Sequence, residues 1–202
     1  MSNLPPDDRP AVGLRERKKA RTKASIQHHA LRLFREQGYG ATTVEQIAEA
    51  AEVSPSTFFR YFPTKEDVVL QDDYDPLIVE AFKAQPPDLS PIQAMRRAMR
   101  SAFGTIPAEE LEEIRERSEL MLQIPELQAA TLANLTQTMR LLTGLVAERV
   151  GREPDDFAVR NFTGALLGVW ISVLFDWAAY PGVDLANALD DAMAHLEAGL
   201  PL

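Results

Sequence analysis

Residues 43–65 read TVEQIAEAAEVSPSTFFRYFPTK, and the order of caps, apolar positions and prolines in this stretch decides the fold. Thr43, followed three residues on by Gln46, forms a capping box, and Val44, Ile47, Ala48 and Ala51 repeat an apolar stripe over two turns. Ser54 is an N-cap with Pro55 at the first helical position, so a second short helix starts there and ends before Pro63. Thr64, followed by Asp67, caps another. Two short helices joined by a tight turn at Ala51-Glu52-Val53 make a helix-turn-helix, whose second helix is the one to examine for base contacts.

That helix separates into two faces. Phe58 and Phe62, spaced i, i+4, should pack inward, while Pro55, Ser56, Phe59 and Arg60 fall on the outward stripe. An aromatic edge suits a thymine methyl and a guanidinium suits the two acceptors of guanine, so Phe59 and Arg60 are fitted to a major groove. Thr57 and Tyr61 sit on a flank suited to phosphate oxygens, and Lys65 adds a cation at the next helix start. The competing reading is an aromatic hairpin whose rings only fill volume.

Upstream, Ile26, Ala30, Leu33 and Phe34 mark one stripe of a helix from about Arg15 to Gln37, ended by Gly38. Its start carries six cations in the nine residues 15–23, opposed only by Glu16. Arg15, Lys18 and Lys19 of this run are further candidates for DNA phosphates, against the plainer reading of a solvated face. The charge is unevenly divided. Residues 1–65 hold eleven Lys/Arg against seven Asp/Glu, or +4, and residues 66–202 hold ten against twenty-three, or −13, within a net −9. The expected organisation is a flexible segment over 1–14, a DNA-binding domain over 15–66, and a second domain over 67–202.

These residues resemble the TetR family of bacterial transcriptional regulators, through Ala30 to Phe34, Gly38-Tyr39, Ala41 to Ala48 and Val53 to Glu66. The resemblance runs through about fifty residues. It implies a homodimer that reads a palindromic operator in double-stranded DNA, with a helical C-terminal domain whose small-molecule effector weakens DNA binding. By the same resemblance Thr43, Tyr61 and Lys65 are phosphate contacts, and Ser54, Pro55, Ser56, Thr57, Phe59 and Arg60 form the recognition surface. Two departures stand out. Glu52 occupies a turn position where the family usually has Gly, and Phe59 stands where it often has Tyr.

Beyond residue 66 every periodicity is helical, with helices expected at about 65–84, 91–104, 108–123, 126–150, 155–179 and 184–198. The whole is an all-α fold of about nine helices. Pro76 falls inside the fourth, after Asp72, Asp73 and Asp75, and should kink or interrupt it, which makes it a hinge candidate. The apolar run Phe162 to Phe175 is fourteen residues long, short of the roughly 20 needed to cross a bilayer, and is expected to be a core helix with contacts on all sides. Leu185, Leu189, Ala192, Met193 and Leu196 give the last helix an apolar face, and the expected dimer pairs the last two helices. No membrane partner is expected.

Met95, Met99, Phe103, Met121, Leu122, Leu141, Leu142, Trp170 and Phe175 either line an effector pocket or are plain core. Arg96, Arg97 and Arg100 are either solvated surface or a site for a phosphorylated ligand. The Glu-rich stretch Glu109 to Glu119, with Arg115 and Arg117, is expected to be a solvated helix with internal ion pairs. Glu116 to Leu127 also resembles TetR-family members whose C-terminal domain takes acyl-CoA-like ligands, mycofactocin-system regulators among them, which implies an acyl-CoA or another apolar effector. No cofactor is called for. With no cysteine, three histidines, and neither a phosphate-binding glycine loop nor a serine elbow, the composition argues against an enzyme and against a metal site. The first thirty residues carry charge where an export signal needs an apolar run, so a cytoplasmic protein is expected. The alternative function is a helical interaction module whose basic arm holds an acidic protein partner.

Overall fold

A computed structural model describes residues 13–71, 74–180 and 182–202, all of it helix and connection, with no strand among the described residues. The ten helices are α1 (Leu14–Gln37), α2 (Val44–Ala50), α3 (Pro55–Tyr61), α4 (Asp67–Leu70), α5 (Tyr74–Lys83), α6 (Pro91–Phe103), α7 (Ala108–Gln123), α8 (Pro125–Val150), α9 (Phe157–Ala179) and α10 (Leu185–Glu197). The chain divides into two compact units, the first ending at Val68 and the second running from Val69. Residues 1–12 of the lead-in, together with Asp72, Asp73 and Pro181, lie outside the described residues.

In the first unit α1 buries Ile26, Ala30, Leu31 and Phe34 and packs on α2, which in turn packs on α3. Phe58 and Phe62 are both fully buried, as their spacing requires. The Thr43 hydroxyl accepts from the Gln46 amide at 3.2 Å while the Gln46 side chain accepts from the Thr43 amide at 2.9 Å, which completes the capping box. Ser54 Oγ accepts from the Thr57 amide at 3.1 Å and caps α3.

The expected helix over 65–84 is two helices, α4 and α5. Pro76 stands in the first turn of α5, where its missing N–H would have had no helical partner, so it starts a helix rather than kinking one.

In the second unit α6 buries Ile92, Met95, Ala98, Met99 and Phe103 and packs on α5, α8 and α10, while α9 packs on α7, α8 and α10. Arg149 near the end of α8 ties down the α5–α6 connection. It donates to the carbonyls of Pro86 and Leu89 and lies 5.3 Å over the Phe82 ring. Three sequence expectations change here. The apolar face of α10 is spent inside the chain, since Leu185, Leu189 and Met193 are buried against α6 and α9. By length and composition α9 could cross a bilayer, because the helix extends the fourteen-residue run at both ends to 23 residues. Its contacts cover one side only, through Val159, Thr163, Leu166, Leu167, Trp177 and Ala178, and leave Ala165, Gly168, Ser172 and Phe175 exposed.

Arg96 and Arg100 are not an open cationic patch. Arg96 donates to Asp190 at 2.9 Å and Glu197 at 2.7 Å on α10, and Arg100 reaches Asp190 at 3.5 Å. The hydrogen bonds from Arg96 hold the Asp190 carboxyl below its usual range. That stability is fully present above the unfolded value of about 3.9 and is lost as pH falls through the folded one. Arg96→Met should therefore cost about 1–2 kcal/mol at pH 7 and flatten the acid limb of the unfolding curve, as followed by circular dichroism against pH and urea.

Candidate nucleic-acid interface and effector cavity

The turn between α2 and α3 sets the outward face of α3. Glu52 has φ +55°, the Val53 amide donates to the Ala48 carbonyl at 2.9 Å, and the Glu52 amide to the Glu49 carbonyl at 3.0 Å. This is the double hydrogen bond of a Schellman turn with a non-glycine residue in the left-handed position. On the far side of the turn, Ser54, Pro55, Ser56, Phe59 and Arg60 are exposed and Thr57 and Tyr61 half-buried. Phe59 is 49% exposed and stands edge-on to the buried Phe58 ring, with centroids 5.5 Å apart, so an apolar ring is held out toward solvent. The Arg60 guanidinium rests 5.3 Å over the Tyr61 ring, an exposed cation–π contact that costs only about 0.5–1 kcal/mol to leave for a stronger acceptor.

Thr43 presents its exposed side chain at the start of α2. Lys65 is placed differently from a freely projecting cation. Its ammonium donates to the carbonyls of Tyr39 at 2.8 Å and Thr42 at 3.0 Å and sits 4.0 Å over the Tyr39 ring. One N–H remains for an outside acceptor. Tyr39 in turn donates to Glu66 at 2.8 Å. Burial alone would raise the Glu66 carboxyl, but its own backbone amide, Tyr39 and Thr64 outweigh that and hold it below its ordinary value. Arg15, Lys18 and Lys19 are exposed on the first turns of α1, and Lys18 shares an open groove with Arg17, Arg21 and the Glu52 turn.

The second unit holds a cavity of about 70 Å³ lined by Val69, Ile78, Phe103, Ile114, Arg117, Ser118, Met121, Trp170, Leu174 and Leu185. Of the residues considered for a pocket, Phe103, Met121 and Trp170 come together here. Met95, Met99 and Leu142 are buried in the packed core without lining it. Leu122 is half-buried away from the lining, and Leu141 and Phe175 are 36% and 43% exposed on the surface.

The cavity's charged member was not anticipated. Arg117 is 8% exposed, so α7 is not a solvated helix throughout. The signal was present: Ile114, Arg117, Ser118 and Met121 fall at i, i+3, i+4 and i+7, which puts Arg117 on the apolar stripe. The surrounding glutamates hide that stripe. Arg115 also turns inward, 4.8 Å over the Trp177 ring and 3.7 Å from Glu112, with its Nε buried and without a hydrogen bond.

Comparison with known proteins places both units. Residues 26–71 match the family described as bacterial regulatory proteins, tetR family, and residues 89–201 match the MftR C-terminal domain. The chain is 36% identical to the HTH-type transcriptional regulator TcmR of Streptomyces glaucescens, over 86% of this chain and 80% of that protein. It is 30% identical to the putative mycofactocin biosynthesis transcriptional regulator MftR of Mycobacterium tuberculosis, over 92% of this chain and 96% of that one. Among solved structures, the Thermus thermophilus FadR repressor in complex with lauroyl-CoA superposes with a TM-score of 0.54 at 29% identity, covering 89% of this chain and 95% of that chain.

Relieving the backbone at Glu52 should change two properties at once. Glu52→Gly should raise unfolding stability by about 0.5–1 kcal/mol, the left-handed penalty less the entropy glycine gives back. It should also tighten binding to random-sequence duplex by removing a carboxylate beside the basic run. Thermal melts and fluorescence anisotropy measure the two effects; a destabilised variant would contradict the strain.

Proposed function

This chain belongs to the TetR family of bacterial regulatory proteins, and we propose that it is a repressor that binds a palindromic operator as a homodimer and is released by a small apolar or acyl-CoA-like effector. The observation that carries the reading is the exposed flank of α3, where an aromatic ring and a guanidinium stand outward on a helix whose other face is fully buried. Water gives an exposed Phe59 nothing, whereas thymine methyls in a major groove do.

Ser54, Pro55, Ser56 and Thr57 approach base edges and sugar from the first turn of α3. Thr43, Tyr61 and the third N–H of Lys65 hold phosphates, and Arg15, Lys18 and Lys19 add contacts that carry no sequence information. A palindromic site requires two copies of α3 about 34–36 Å apart, which one chain cannot supply. The exposed side of α9 supports the pairing, because Ala165, Gly168 and Ser172 allow close approach beside the apolar Phe175. The MftR-type C-terminal domain and the lauroyl-CoA-bound relative support an apolar or acyl-CoA effector. Such a regulator works in the cytoplasm, where its DNA is.

Two substitutions separate reading from holding. Arg60→Ala should lower the ratio of operator to random-duplex affinity by roughly ten-fold, within about 1–3 kcal/mol. Lys18→Ala should weaken both duplexes alike and reduce the salt slope by about one. Titrations at several salt concentrations, on an operator selected from a random pool, decide the matter. A protein with no sequence preference at any salt would instead be a charge-only binder of acidic partners.

A further inference from the structure

Arg117 is a buried charge that forms no ion pair among the described residues. It is 8% exposed and lines the 70 Å³ cavity among Ile78, Phe103, Trp170 and Leu174. A guanidinium stays protonated at any physiological pH, so its desolvation must be offset by pairing rather than by loss of charge. Among the described residues it makes one hydrogen bond, from Nη1 to the Gln71 carbonyl at 3.3 Å, and no ion pair. Ser118 beside it has spent its hydroxyl proton on the Ile114 carbonyl at 2.9 Å. The contrast within the same unit is direct: Arg96, more exposed, is flanked by two carboxylates.

We propose that Arg117 is the anchor for an oxyanion carried by the effector, so that the effector is an apolar acid with its carboxylate at the guanidinium and its apolar body against Phe103, Met121, Trp170 and Leu174. This rests on the reading of the second unit as the effector domain. A guanidinium fork holds a carboxylate through two parallel hydrogen bonds, and a low-polarity wall strengthens them. At about 70 Å³ the cavity is smaller than the ~150 Å³ that accepts benzene, so it must widen to admit such a molecule. Met121, half-buried and with three rotatable bonds, is the wall element suited to move. A thioester brings no negative charge to the end of its acyl chain, which separates this ligand class from an acyl-CoA.

The test is calorimetric titration of the full chain with hexanoate, decanoate and benzoate, each against the corresponding alcohol, and with decanoyl-CoA. At least one acid should bind, with its alcohol weaker by about thirty-fold or more, the usual loss when a buried charge pair is broken. Arg117→Met should bring that acid down to the level of its alcohol while leaving the alcohol unchanged. Arg117→Lys, which keeps the charge but not the fork, should fall between them. The inference is overturned if acids and alcohols bind alike, if the acid survives Arg117→Met undiminished, if only decanoyl-CoA binds, or if no acid binds. Should Arg117→Met fail to fold, the wild-type comparison of acid with alcohol decides alone. Operator binding by the same preparations without ligand tests the regulatory reading separately, and holds or fails whatever the acids do.

Discussion

The whole outward face of α3 depends on how the backbone leaves α2. The chain must reverse direction within Ala51 to Val53, and it does so by holding Glu52 at φ +55° while two amides close back onto Ala48 and Glu49. For a residue with a Cβ this costs about 1 kcal/mol or more, and it is tolerated because both neighbours are fixed. On one side Ile47 and Ala48 are buried in the core, and on the other Ser54 caps α3 and Phe58 is sealed beneath it. With both ends pinned, the direction of α3 follows. The exposure of Phe59 and Arg60 is thus a consequence of the buried residues one position away, not an independent property of the surface.

A second corner keeps that surface in place. Lys65 holds the carbonyls of Tyr39 and Thr42, and Tyr39 holds Glu66, so the end of α1 and the start of α4 are clamped through one aromatic ring. Lys65 therefore serves the fold before it serves a ligand. The same division runs through the arginines of the second unit. Arg96 joins α6 to α10 through two carboxylates, Arg149 fastens a loop by its carbonyls, and Arg115 covers a Trp ring. Each has protein for a partner. Among the described residues Arg117 has one carbonyl, at 3.3 Å.

What was legible in the sequence was set locally. Caps at Thr43, Ser54 and Thr64, prolines at 55 and 91, and stripes at helical spacing fix where helices begin and which side is buried, because each depends on residues within one or two turns. The inward pair Phe58 and Phe62 and the outward pair Phe59 and Arg60 were readable for that reason. The helix expected over 65–84 is interrupted, one of the two outcomes Pro76 predicts, but Pro76 stands in the first turn of α5, because the residue that kinks a helix also starts one. The face of α10 was assigned to a second subunit because periodicity shows that a face is apolar, not what covers it; α6 and α9 cover it. Pocket residues were the least legible. Met95 and Met99 differ from Met121 only in what stands opposite them, which is a property of helices distant in the chain.

The charge division bears on how such a protein meets DNA. The C-terminal 137 residues carry −13 and the first 65 carry +4, so phosphate backbones are repelled by one part of the molecule and drawn to the other. Within a Debye length of about 8 Å at physiological salt, the repulsion acts only on close approach of the acidic unit. The basic run over residues 15–23 supplies the cations from which a non-specific term would come, each phosphate contact contributing through counterion release. That electrostatic term carries no sequence information, so discrimination in a DNA-binding regulator falls to side chains that reach base edges.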